Sequence, residues 1–176
     1  MRKTANSELG RPTPEEFASQ PRLPVTVVLD GVRSLSNVGS VFRTCDAFAV
    51  KKILLCGVTG TPPDREIHKT ALGAEQTVPW EYFPDATAAL ARLRKEGAEI
   101  VAVEQVEDAT LLQDFTCERD REYALVFGNE VFGVSEAALG LCDSAVEIPQ
   151  SGTKHSLNVS VSAGVVLWHF YADLYI

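Results

Sequence analysis

Three short segments gather the side chains best suited to chemistry. The first runs Asn37-Val-Gly-Ser-Val-Phe-Arg43-Thr-Cys-Asp-Ala-Phe48. Arg43 falls in an otherwise apolar, helix-spaced stretch, where an arginine is rarely buried without a partner. It reads either as one half of a surface ion pair or as a planar fork that grips a phosphate. Asn37 reads as a helix N-cap or as a site amide, with donors and acceptors enough for both. The second segment is Phe127-Gly-Asn-Glu130-Val-Phe-Gly133, directly after an apolar run. Gly128 suits either a strand exit where a ligand nears the backbone or an ordinary turn. Glu130, by burial statistics alone, is an exposed loop carboxylate. The third segment is Ile148-Pro-Gln-Ser-Gly-Thr-Lys-His-Ser156-Leu-Asn158-Val-Ser-Val161. Here Ser156 and Asn158 read as caps at the mouth of the last helix. Ile148 and Leu157 read as core.

The elements that must position these segments follow from periodicity. Residues 1–24 are a proline-bearing tail with room for one short helix near Pro14; a domain over 25–176 follows. Strands are expected at Val25–Leu29, Lys52–Cys56, Val78–Phe83, Ile100–Val103, Tyr123–Phe127 and Ala145–Ile148. Helices are expected from a cap at Asn37 through Phe48, at Asp85–Glu96, at Ser135–Leu141 and from Ser156 to Tyr175. Alternating strands and helices predict an α/β domain with a mainly parallel sheet flanked by helices. Ligands of such sheets bind beyond the carboxyl ends of the strands. The three segments all begin near such ends.

Composition narrows the function classes. The sequence lacks a GxGxxG turn, a Walker A loop and a GxSxG elbow, which disfavours dinucleotide, P-loop and hydrolase sites. No apolar run approaches the roughly 20 residues of a membrane span, and no secretory signal core is visible, so a cytoplasmic protein is expected. The four cysteines have no metal-ligand spacing, so reduced, packed thiols and no metal are expected. The three histidines are scattered; His169, within the last apolar helix, reads as a packed structural residue. Net charge is −8, but it is unevenly spread. Residues 1–76 hold 10 Lys and Arg against 8 Asp and Glu, while residues 77–176 hold 6 against 16. The acidic excess is densest from Glu104 to Glu122 and reads as a solvated face.

Each segment alone is a weak signal. In order and at this spacing, over roughly residues 25–176, they resemble the three motifs of the SpoU (TrmH-like) branch of the SPOUT RNA methyltransferases. The resemblance implies an α/β SPOUT fold whose C-terminal segment is threaded into a trefoil knot. It implies S-adenosylmethionine as cofactor, held by backbone groups at positions matching Gly128, Ile148 and Leu157. It implies a homodimer packed partly through the final helix, and an RNA substrate, transfer or ribosomal, methylated on a ribose 2′-hydroxyl. Asn37, Arg43, Glu130, Ser156 and Asn158 match the catalytic positions. Arginine's pKa, above about 12, makes it a poor base, so a phosphate clamp is the expected role of Arg43. The usual methionine after the third motif's proline is Gln150 here. Many members carry a further RNA-binding domain; here a short tail precedes the motifs. The competing expectations are a noncatalytic RNA-binding or dimer scaffold that keeps the fold, and a nucleotide-dependent enzyme acting on a small molecule.

Overall fold

A computed structural model describes residues 1–176, the side chain of Asn6 excepted. Beyond a short helix α1 (Pro14–Ser19), the chain lays down β1 (Leu23–Asp30), α2 (Leu35–Ala47) and β2 (Val50–Cys56). Next come α3 (Arg65–Ala71), α4 (Ala74–Thr77), β3 (Trp80–Phe83), α5 (Ala86–Lys95), β4 (Glu99–Val103) and β5 (Thr110–Leu111). The last elements are β6 (Tyr123–Phe127), α6 (Glu136–Leu139), β7 (Ser144–Glu147) and α7 (Val159–Tyr175).

The seven strands form one sheet in the order β3-β2-β1-β6-β4-β7-β5, and every pairing is parallel. Strand β6 lies between β1 and β4, pairing Leu29 with Phe127 on one side and Ala102 with Val126 on the other. The carboxyl ends of β1, β6, β4 and β7 therefore open on one edge, and the loops carrying all three segments leave from there.

Period-two alternation in the central strands sorts side chains to two faces. Val25, Val27 and Leu29 join Val38, Phe42, Val166 and Phe170 in the core beneath α2 and α7. Val28 joins Ala89, Leu90 and Leu93 in the core beneath α5. Both faces are covered, which explains why these strands are apolar throughout.

The sequence placed these strands and long helices, with displaced ends. The exception in substance is α2. Its N-cap is Ser34, whose hydroxyl accepts from the Asn37 amide, so the helix begins one turn before the expected cap. Likewise Asn158, not Ser156, caps α7: its side-chain oxygen accepts from the Ser160 amide. Helices α3 and α4 and the two-residue β5 were not anticipated. At this length propensity and period carry little signal. Helix α3 is fixed instead by Asp64, which accepts from the amides of Glu66 and Ile67, and by close packing on α2. A side chain at Gly39 would run into Ile67 and Thr70.

The thiols are free. Burial pushes Cys56 and Cys117 up to about 12 and Cys142 to about 11. Half-buried His169 is held by Phe115, whose carbonyl lies 2.7 Å from its ring Nε2. No helix among the described residues is long and apolar enough to cross a membrane.

Candidate active site

Three polar side chains from three different loops or helices meet at the carboxyl edge. The Asn37 side-chain amide donates to Glu130 Oε1 at 3.0 Å. The Asn37 oxygen accepts from Asn158 Nδ2 at 3.1 Å. Asn37 is freed for this because Ser34 does the capping. Glu130 also accepts from the backbone amides of Arg33 and Ser34, at 3.0 and 2.9 Å. One carboxylate thus ties the segment after β6 to the entrance of α2, and Asn37 passes that link to α7. Partial burial pushes the Glu130 carboxyl up, but these amides and the Asn37 side chain outweigh it and hold it below its ordinary value. Glu130 is an exposed loop carboxylate, as burial statistics alone suggested, but one committed to three donors.

Beside this network lies a cavity of about 570 Å³, within the range of small-ligand sites. Gly128, Glu130, Ile148, Ser156, Leu157 and Asn158 all line it. Of the two residues whose side chains alone suggested core, Ile148 packs against the main core as well as lining the cavity, whereas Leu157 does not. Leu157 is 39% exposed and Ile148 is half-buried, and the loop residues between them are exposed.

Gly128 does not stand in a left-handed conformation. A side chain there would collide with the backbone of Gly133 and Val134, so the constraint is the loop doubling back on itself. Asn129 locks that return. Its amide donates to the Gly31 carbonyl at 2.7 Å, and its oxygen accepts from Val131 and Phe132. We expect Gly128→Ala to lower stability by about 1–3 kcal/mol, the usual penalty for overpacking. Thermal denaturation would check this; an unchanged melting temperature would refute the close approach.

Two positioning residues escaped sequence reasoning. Asn129 sits inside a recognised segment, but its contacts are tertiary. Glu104 belongs to the run read as a solvated acidic face, and that reading is corrected. Glu104 turns into the cavity wall and accepts from the Val134 amide at 2.9 Å and the Gln105 amide at 3.0 Å. Only the parallel register, which ends β4 beside β6, reveals this.

Arg43 stands apart. It is exposed, is not among the residues lining the cavity, and has no ion pair or hydrogen bond among the described residues. The surface ion-pair reading therefore fails. No cluster of three metal-type ligands occurs among the described residues.

Cavity chemistry fits S-adenosylmethionine. Val103, Val146, Ile148 and Leu157 supply an apolar wall for a flat ring, and backbone from Gly128 to Gly133 supplies polar edges. Glu104, Glu130 and Glu147 face the cavity while no lysine or arginine lines it, which suits a ligand carrying a sulfonium and an ammonium.

Comparison with known proteins agrees. The tRNA (guanosine(18)-2'-O)-methyltransferase of Thermus thermophilus is 36% identical over 158 residues, spanning 88% of this chain and 77% of that one. A 23S rRNA (guanosine-2'-O-)-methyltransferase of Neisseria meningitidis is 33% identical over 152 residues, 86% of this chain and 59% of the other. The SpoU methyltransferase AviRb of Streptomyces viridochromogenes, solved with AdoMet, superposes with a TM-score of 0.73 at 26% identity, covering 88% of this chain and 62% of that one. Residues 24–168 match the profile of the SpoU rRNA Methylase family, and the chain belongs to that family.

Proposed function

We infer that this protein transfers a methyl group from S-adenosylmethionine to a ribose 2′-hydroxyl of transfer or ribosomal RNA. The observation that carries the reading is the Glu130–Asn37–Asn158 network set beside a cavity that fits the cofactor. A noncatalytic scaffold would have no use for both. The bound cofactor supplies an electrophilic methyl on a positively charged sulfur. The protein's part is to hold the acceptor hydroxyl in line and keep its neighbours fixed. Asn37 and Glu130 hold the α2 entrance against the segment after β6. Ser156 and Asn158 present polar groups at the cavity mouth. Arg43 grips a backbone phosphate beside the acceptor ribose.

Acidity overall does not oppose RNA binding, because the cations are partitioned. Lys51, Lys52, Arg92, Arg94 and Arg121 are neutralised by Glu122, Glu96, Glu81, Asp143 and Glu99. Among the described residues, Arg33, Arg43, Arg65 and Lys154 have no such partner, and all are exposed. Arg33, Arg65 and Lys154 sit on segments leaving the carboxyl ends of β1, β2 and β7. Phosphate contacts of this kind carry much of RNA affinity.

A homodimer belongs to the same reading. Val161, Val165 and Trp168 recur at helical spacing on the outer face of α7, and Trp168 is 52% exposed. Such an apolar stripe suits an interface. Pairing would also let Arg43, which does not line its own chain's cavity, serve the partner's. Sedimentation should give a dimer, and Trp168→Glu should shift it to monomer. Mixing Arg43→Ala chains with Asn158→Ala chains should restore activity that neither has alone. The trefoil knot is part of the reading too. Its support is family membership and the insertion of the last strand, β7, between the earlier strands β4 and β5. A cytoplasmic location belongs to the same reading, in keeping with an RNA substrate.

The deciding experiment pairs calorimetry with S-adenosylmethionine and mass-spectrometric mapping of 2′-O-methyl marks in total RNA with and without this protein. Cofactor binding and one lost mark are expected. No binding at millimolar cofactor would favour a scaffold. Methylation of free nucleosides but not RNA would favour a small-molecule enzyme.

A further inference from the structure

Methylating a hydroxyl releases a proton, and of the site's polar side chains Arg43, Glu130, Glu104, Ser156 and the asparagines are poor acceptors for it. An arginine stays protonated at any physiological pH. Glu130 holds three donors and lies below its ordinary value. Both oxygens of Glu104 are occupied by backbone amides. Serine hydroxyls and asparagine amides accept hydrogen bonds but not protons at neutral pH.

The three histidines of the chain divide sharply. His68 Nδ1 lies 2.5 Å from Glu75 Oε1, and His169 is held by the Phe115 carbonyl. His155 has no hydrogen-bond partner among the described residues. It lines the cavity directly before Ser156, together with Asn158, so its ring is the one uncommitted imidazole at the site.

We propose that His155 is a catalytic residue of this chain, the general base that takes the proton of the acceptor hydroxyl. The role rests on the methyltransferase reading above. As the oxygen–methyl bond forms, the O–H bond breaks and its proton moves to a ring nitrogen of His155. The methyl–sulfur bond breaks with its electron pair staying on sulfur, which leaves as a neutral thioether. Charge balances: a sulfonium is lost and an imidazolium gained. The imidazolium then returns its proton to solvent, which the exposed position of His155 permits.

The charged groups that line the cavity with His155 come from three strands: Glu104 follows β4, Glu130 follows β6 and Glu147 ends β7; Lys154 precedes His155 on the same loop. Glu147 is the rival base, having no hydrogen-bond donor among the described residues. A carboxylate is ordinarily a weaker base than an imidazole by about two pKa units.

The test measures methyl transfer to unmodified bulk transfer and ribosomal RNA from pH 5 to 9. It compares wild type, His155→Gln and Glu147→Gln. Wild type and Glu147→Gln should both lose rate toward the acid end of that range, as a base that must be unprotonated requires. His155→Gln should fall about 100-fold in kcat, the low end for a general base, and lose that limb. Its melting temperature should match wild type, and at saturating cofactor the loss should remain in kcat. A ring-proton resonance missing in His155→Gln should shift in the wild type on adding S-adenosylhomocysteine. A His155→Gln enzyme with wild-type kcat and the same acid limb would overturn the role, as would a limb that vanishes only in Glu147→Gln. An inactive wild type would overturn the role and the function together, whereas an active one with an indifferent His155→Gln overturns the role alone.

Discussion

Arg43→Ala should abolish methyl transfer, with kcat falling by about 100-fold or more, the loss typical of one preorganised charge-stabilising donor. Cofactor affinity should not change. The two halves of the prediction follow from one observation: Arg43 projects from α2 with no partner, outside the cavity fitted to the cofactor. Its loss cannot open that cavity, and it removes no packing or ion pair, so stability should also hold. RNA affinity should weaken and its salt dependence should shallow, by about one unit of slope for a single lost phosphate contact. Arg43→Lys separates charge from shape. A lysine keeps the charge but not the rigid two-pronged donor, so it should remain severely impaired. A lysine variant near wild type would show that positive charge alone suffices. Full turnover by the alanine variant would remove Arg43 from the mechanism.

Glu130→Ala is expected to act in the opposite way, by loosening the site rather than emptying it. It strips the acceptor from the Arg33 and Ser34 amides and from the Asn37 side chain at once. Solvent reaches the carboxylate, so replacement water limits the damage. We expect about 1–2 kcal/mol of lost stability, weaker cofactor binding because Glu130 lines the cavity, and a fall in kcat from misplaced Asn37 and Asn158. Glu130→Gln keeps one acceptor oxygen and should be milder. The carboxyl's lowered folded-state pKa fixes the pH dependence. Stability from this group is fully present above the unfolded carboxyl value, about 4.3. It is lost as pH falls through the lower folded value. Acid titration of the melting temperature should therefore show a smaller drop below about pH 4.3 in Glu130→Ala than in wild type. Parallel curves would show that the carboxylate makes no net contribution to folding.

These two residues also show how far sequence reaches. Composition and period were enough for the parallel α/β sheet, because strands covered on both faces must be apolar throughout and helices must alternate with them. Motif order was enough for the family, and so for which residues deserve attention. It was not enough for what each one touches. Asn37 has the chemistry of a cap, yet Ser34, three residues earlier, takes the cap and turns Asn37 toward Glu130, 93 positions away. Leu157 has the side chain of a core residue, yet its exposed loop puts it in a cavity wall. Glu104 has the composition of a solvated run, yet it buttresses the loop that Gly128 begins. In each case the local residue type permits two roles of similar energy. The choice falls to a backbone amide or carbonyl brought close by strand order, information that resides in the register of β1, β6, β4 and β7 and in no window along the chain.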